Sequence, residues 1–179
     1  MKKLMTMLLL FLTVGSAMGQ DAKETYMKGV LALNAQNYEL AAMYFESAAN
    51  ENVPDAQLKL GGLYMVGYGV EKSPQKAVEW YERAARLDYA PAQYALALSY
   101  INGVGVEKDD AKAIDLIFKA AQHDFPAAQW RLSTLYENGW GLPKDAEKAA
   151  YWKKKYEENK DKAQSPDYVN GMKKEMEAH

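Results

Sequence analysis

A stretch of 36 residues recurs three times without a gap, over 54–89, 90–125 and 126–161. Each copy opens with Ala-Gln, then Leu, then Tyr: Ala56, Ala92 and Ala128; Gln57, Gln93 and Gln129; Leu60, Leu96 and Leu132; Tyr64, Tyr100 and Tyr136. Ala, Leu and Tyr are spaced by four, which puts them on one face of a helix. A period of this length holds one helical hairpin. A lone hairpin cannot bury its apolar face, so the copies must stack on one another. The repeat therefore limits the chain to an all-α array.

The rest of each copy is also in register. A small residue follows each Leu (Gly61, Ala97, Ser133), which lets a partner helix come close. A Gly-x-Gly loop closes the first helix: Gly67 and Gly69, Gly103 and Gly105, Gly139 and Gly141. The first glycine of each pair suits a left-handed C-cap, and the second relieves a tight turn. An apolar residue follows (Val70, Val106, Leu142) and is expected to plug the turn into the core. Ser73, Asp109 and Asp145 stand in register as N-caps of a second helix, with Pro74 at the favoured first position. That helix carries Lys-Ala in every copy, then an inner face of Val78, Ile114 and Ala150, followed by Trp80, Leu116 and Trp152. Two copies end in Ala84-Ala85 and Ala120-Ala121. The third ends in Tyr156-Glu157 amid charge, as a terminal unit with no neighbour should.

Residues 20–53 form a further hairpin. Tyr26, Gly29, Val30 and Leu33 share a stripe, and Asn37 is placed to cap a second helix from Tyr38 to Ala49. The inner face of that helix reads Ala41, Ala42, Phe45, Ala48 and Ala49. Residues 162–179 restart with Ser165-Pro166-Asp167 and place Tyr168, Met172 and Met176 four apart, the pattern of a short capping helix. At the other end, Lys2 and Lys3 precede an apolar run from Leu4 to Val14, and Ala17 and Gly19 are small. Residues 1–19 read as a signal peptide cut before Gln20. The run is shorter than the roughly 20 apolar residues that span a bilayer, so no membrane insertion is expected after cleavage. The chain is then exported, to a periplasm or beyond the cell.

Twenty-four acids against 22 Lys and Arg leave a formal net charge of −2, which becomes −4 once Lys2 and Lys3 are removed. No basic patch points to nucleic acid. With no Cys, stability must come from packing.

The motif Ala-x-x-x-Leu-Gly-x-x-Tyr, Gly-x-Gly-Val, Lys-Ala-x-x-Trp-Tyr-x-x-Ala-Ala resembles the Sel1-like repeat of the tetratricopeptide superfamily. Ala56 to Ala85 matches almost throughout, and Ala92 to Ala121 carries Ala97 and Leu116-Ile117 as departures. The third copy matches through Trp152. The first hairpin lacks the Gly-x-Gly loop and is more similar to an ordinary tetratricopeptide repeat. The resemblance implies a right-handed superhelical solenoid of one tetratricopeptide-like and three Sel1-like repeats, with first helices lining a concave groove. It implies a scaffold or adaptor that binds a protein or peptide. An alternative is an envelope enzyme, or a regulator of one, acting on peptidoglycan-related substrates. Some cysteine-rich members were linked to cell-wall substrates, and the lack of Cys sets this chain apart from them.

Candidate chemistry is sparse. The loops lack a full phosphate-binding fingerprint, and an N-cap side chain occupies each following helix start. His123 and His179 are the only histidines, so neither a metal site nor a Ser-His-Asp triad is assembled. The chain is read as a non-enzyme without cofactor or metal. In the superfamily the fifth residue of the first helix points into the groove; that series is Tyr26, Leu58, Tyr94 and Trp130. Asn34, Asn102 and Asn138 follow on the same helices, with Thr134 and Glu137 in the last. Aromatic anchors beside amides suit a peptide groove. Tyr94 and Trp130 either line it or pack on the neighbouring hairpin. Weak self-association through the Tyr26 hairpin or the terminal helix is a further expectation.

Overall fold

A computed structural model of the protein describes residues 21–161; the expected signal peptide and capping helix lie outside them. Among the described residues there are eight helices and no strand. Helix α1 occupies residues 21–34. It is followed by α2 (Tyr38–Asn50), α3 (Pro54–Val66), α4 (Pro74–Ala85), α5 (Ala90–Asn102), α6 (Asp110–Gln122), α7 (Pro126–Asn138) and α8 (Ala146–Asn159). They group into two compact units. The first comprises residues 21–87 with 104–106, and the second residues 88–103 with 107–161.

The helix ends follow the chemistry of the repeat. Asn37, Ser73, Asp109 and Asp145 each accept, through the side chain, the backbone N–H three residues on. That satisfies one of the donors a helix start leaves open. The first helices of the three copies stop at Gly67, Gly103 and Gly139, all left-handed, with φ of 89°, 63° and 71°.

A clasp then holds each loop shut. The cap residue's own N–H donates to the carbonyl of the repeated tyrosine: Ser73 to Tyr64 at 2.9 Å, Asp109 to Tyr100 at 3.1 Å, Asp145 to Tyr136 at 3.1 Å. Lys76, Lys112 and Lys148 lay their ammonium groups 5.3, 5.4 and 5.4 Å from the centres of those tyrosine rings. Lys112 and Lys148 also pair with the cap carboxylates at 3.3 and 3.2 Å.

Two contacts stitch one hairpin to the next within each unit. The first is the second loop glycine. A Cβ on Gly69 would overlap the Tyr38 carbonyl at the start of α2, and one on Gly105 would overlap the Pro74 carbonyl at the start of α4. In the second unit a Cβ on Gly141 would press on the Ile114 side chain of α6. These glycines do more than relieve a turn, because they let loop backbone touch the preceding hairpin.

The second contact is the repeated glutamine, buried in all three copies. Gln57 Nε2 donates to the Ala49 carbonyl at 3.1 Å. Gln129 Nε2 donates to the Ala121 carbonyl at 3.2 Å and to Asp124 Oδ1 at 3.2 Å. Gln93 Nε2 reaches Asp88 Oδ1 at 3.5 Å. Asn52, Asp88 and Asp124 turn the chain between hairpins with φ of 60°, 56° and 56°, a conformation Asn and Asp tolerate best after glycine.

Each unit has its own core. In the first, Ala41, Ala42, Phe45, Ala48 and Ala49 meet Ala56, Leu60 and Leu63, with Tyr26, Val30 and Leu33 partly buried on them. In the second, Ala113, Ile117, Ala120 and Ala121 meet Ala128, Leu132 and Leu135. The inner face of the second helices differs from expectation at two points. Tyr81 and Ile117 are the buried residues, while Trp80 and Leu116 lie at the margin. Ala150 is exposed, one turn from the N-terminus of α8.

Three outcomes test this packing. Gly69→Ala should cost at least about 2 kcal/mol in urea unfolding, from the left-handed backbone and the overlap with Tyr38. Gly62→Ala places its methyl in open space on α3 and should gain about 0.5–1 kcal/mol. Backbone N–H donation from Lys112 and Lys148 is the main cause holding the Asp109 and Asp145 carboxyls below the ordinary carboxylate value. A depressed folded pKa contributes stability above the unfolded pKa and loses it as pH falls through the folded one. Asp109→Ala should thus unfold at lower urea at pH 7, with the gap to the parent closing below about pH 4.

Candidate functional site

The nine groove candidates separate into distinct surroundings. In the first unit, Tyr26 packs on the core with its ring 5.8 Å from that of Phe45. Burial, then the nearby Asp55 carboxylate, raises its phenol pKa. Leu58 is half-buried, and Asn34 is exposed at the end of α1.

In the second unit, Tyr94 is half-buried against the core, 5.6 Å from the ring of Phe125. Phe125 is the residue that leads into α7, so Tyr94 serves packing between hairpins. Asn102 is exposed and donates its side-chain N–H to the Leu98 carbonyl at 2.8 Å.

The third copy is different. Trp130 keeps 46% of its surface exposed, and its ring sits 5.3 Å from Tyr156 of α8. Trp130 and Thr134 are four residues apart on α7 and share its face. Thr134, Asn138, Arg131, Leu135 and Trp140 line a depression of about 310 Å³. Thr134 donates its hydroxyl to the Arg131 carbonyl at 2.8 Å, and Asn138 donates one amide N–H to the Thr134 carbonyl at 2.9 Å. The Arg131 guanidinium carbon lies 5.8 Å from the Trp140 ring centre. Glu137 lines a separate depression of about 430 Å³ with Tyr136, Lys144, Asp145, Ala149 and Lys153.

Thr134 and Asn138 thus come together, Trp130 lies beside them on the same helix, and Glu137, one turn from Thr134, lines the other depression. Sequence reasoning did not include Arg131, Leu135 or Tyr156. Arg131 was open to discovery, because the copies differ there: Lys59, Ala95, Arg131. The middle residues of the Gly-x-Gly loops are rim residues. Tyr68 is half exposed and stacks 4.7 Å from Tyr38, and Trp140 is 38% exposed.

Another network in the second unit shows how tightly α7 is held. Asn159 of α8 is buried and donates to Asp124 Oδ1 at 2.9 Å and to Gln129 Oε1 at 3.1 Å. Buried amides joined this way fix the angle of α7 against α8, which keeps the Trp130 face in place.

If Trp130 is a surface group, Trp130→Ala should leave the unfolding free energy within about 1 kcal/mol. Leu132→Ala, two residues on and fully buried, should cost about 2–5 kcal/mol. Urea titration followed by circular dichroism separates the two.

The Sel1 repeat family model matches residues 17–53, 54–89, 90–125 and 126–155. It takes in the first hairpin, which the sequence alone sets apart as tetratricopeptide-like. A crystal structure of a Sel1 repeat protein from Oxalobacter formigenes is similar at 32% identity and a TM-score of 0.71, over 75% of this chain and 55% of that one. The crystal structure of c5321, a protective antigen of uropathogenic Escherichia coli with an SLR fold, is similar at 26% identity and a TM-score of 0.69. That match covers 76% of this chain and 30% of the antigen. The chain thus spans about half or less of the length of these two structures. A comparison with curated proteins found no match. With four matched repeats and an all-α repeat architecture, the chain belongs to the Sel1 repeat family.

Proposed function

We propose that this chain is an exported scaffold that holds a protein or peptide partner against the α7 face of its second unit. The observation that carries this is Trp130, a large indole left 46% exposed where the matching Tyr94 is packed away. Exposed aromatic side chains beside amide and hydroxyl groups are how protein surfaces anchor peptides. Membership in a repeat family whose proteins typically serve as protein-interaction scaffolds supports a binding role over catalysis.

Export rests on the basic and apolar start of the sequence. No helix among the described residues is long and apolar enough to cross a membrane. The scaffold then works in a periplasm or outside the cell.

A photo-crosslinking amino acid at position 130, in cells expressing the full chain, should trap one protein reproducibly. The double substitution Trp130→Ala with Asn138→Ala should lose that partner while keeping its helical circular dichroism. A folded double variant that still holds the partner would place the binding surface elsewhere.

A further inference from the structure

The depression beside Trp130 has a one-sided charge. Its lining is Arg131, Thr134, Leu135, Asn138 and Trp140: one cation, two polar groups, two apolar groups and no carboxylate. The nearest acid in sequence, Glu137, lines the other depression together with Lys144 and Lys153. Arg131 forms none of the ion pairs found among the described residues. Its Nε is buried and has no acceptor. A buried donor left unpaired is costly, and a charged one more so. The same side chain lines the surface depression, where its guanidinium can meet an incoming acceptor.

The neighbouring polar groups are partly committed. The Thr134 hydroxyl is spent on the Arg131 carbonyl, and one N–H of Asn138 on the Thr134 carbonyl. The second N–H of Asn138 remains to donate. Trp140 and Leu135 supply apolar walls. The corresponding positions in the first copy are Lys59, Gly62, Val66 and Tyr68, and in the second Ala95, Leu98, Asn102 and Val104. The combination of guanidinium, amide and indole occurs only in the third.

We infer that this depression receives an aspartate or glutamate side chain of the bound partner, its carboxylate pairing with the Arg131 guanidinium beside the Asn138 amide. This rests on the α7 face being the binding surface. A guanidinium offers a carboxylate two parallel donors, a geometry lysine lacks. The side chain's methylenes lie against Trp140, and the partner's backbone runs on towards Trp130. The partner segment is therefore acidic at one position and apolar or aromatic nearby.

The probe is a phage library of random 12-residue peptides, joined to the coat protein through their C-termini so that no terminal carboxylate is offered. It is selected on protein purified from cells expressing the full 179-residue sequence. Selected peptides should share one Asp or Glu. Replacing it with Asn or Gln should weaken binding about tenfold or more, and Arg131→Gln should weaken the parent peptide equally. The two changes together should cost no more than either alone. Arg131→Lys should fall between, and added salt should weaken only the acidic peptides.

Peptides that bind Trp130→Ala poorly but show no acidic preference, and bind Arg131→Gln as well as the parent, would overturn this inference and leave the α7 surface standing. Peptides indifferent to both Trp130→Ala and Arg131→Gln, or no binders at all, would overturn both. Circular dichroism of each variant guards against loss through unfolding.

Discussion

Close approach of loop backbone to the preceding hairpin is the constraint on which the rest of the fold depends. The peptide at Gly69 lies against the first residues of α2, and that at Gly105 against the first residues of α4. No side chain fits at either point. Once the loop is seated, the left-handed glycine before it must end the first helix, and the cap residue after it must start the second. The tyrosine carbonyl, the cap N–H and the lysine over the ring then close the loop on itself. A small residue at Gly61 serves the same end inside a hairpin, since a Cβ there would meet the Tyr81 ring and the Ala77 carbonyl. The repeated alanines let the helices close to short range, and little volume is left for variation.

This economy separates structure from function. Residues that recur at every period are consumed by turns, caps and helix contacts. Surface positions that change from copy to copy remain available for binding. Tyr94 and Trp130 occupy the same place in their repeats yet meet different neighbours. Tyr94 has Phe125, the apolar residue that leads into the next hairpin. Trp130 meets Tyr156, on a helix dense in lysine and glutamate that cannot bury the indole. The third copy thus leaves an aromatic surface where the second packs one away.

Much of the fold was legible in the sequence because periodicity reports helix faces and capping chemistry reports helix ends. Asn37, Ser73, Asp109 and Asp145 could be named as caps, and the five buried residues of α2 could be read from spacing alone. Periodicity places a residue on a face but does not say which neighbour that face meets. For that reason spacing puts the inward residue of α4 and α6 one position early, at Trp80 and Leu116, where the fold buries Tyr81 and Ile117. The buried glutamines were visible as repeats, but their role depends on carbonyls at the end of the previous helix. That partnership spans eight residues and carries no local signal. Arg131 and Trp140 are nine residues apart, on a helix and in a loop, and only the folded turn brings them to one depression.

Recurring residues build this molecule, and the divergent ones are those proposed to bind its partner. Rewriting the third copy in the language of the second tests this most directly, through Trp130→Tyr, Arg131→Ala and Thr134→Leu in one chain. Isothermal titration of a library-selected peptide against this triple variant is the measurement. The expected result is an unchanged helical spectrum, an unfolding free energy within about 1–2 kcal/mol of the parent, and no detectable heat of binding. Parent-like binding by the folded triple variant would contradict it.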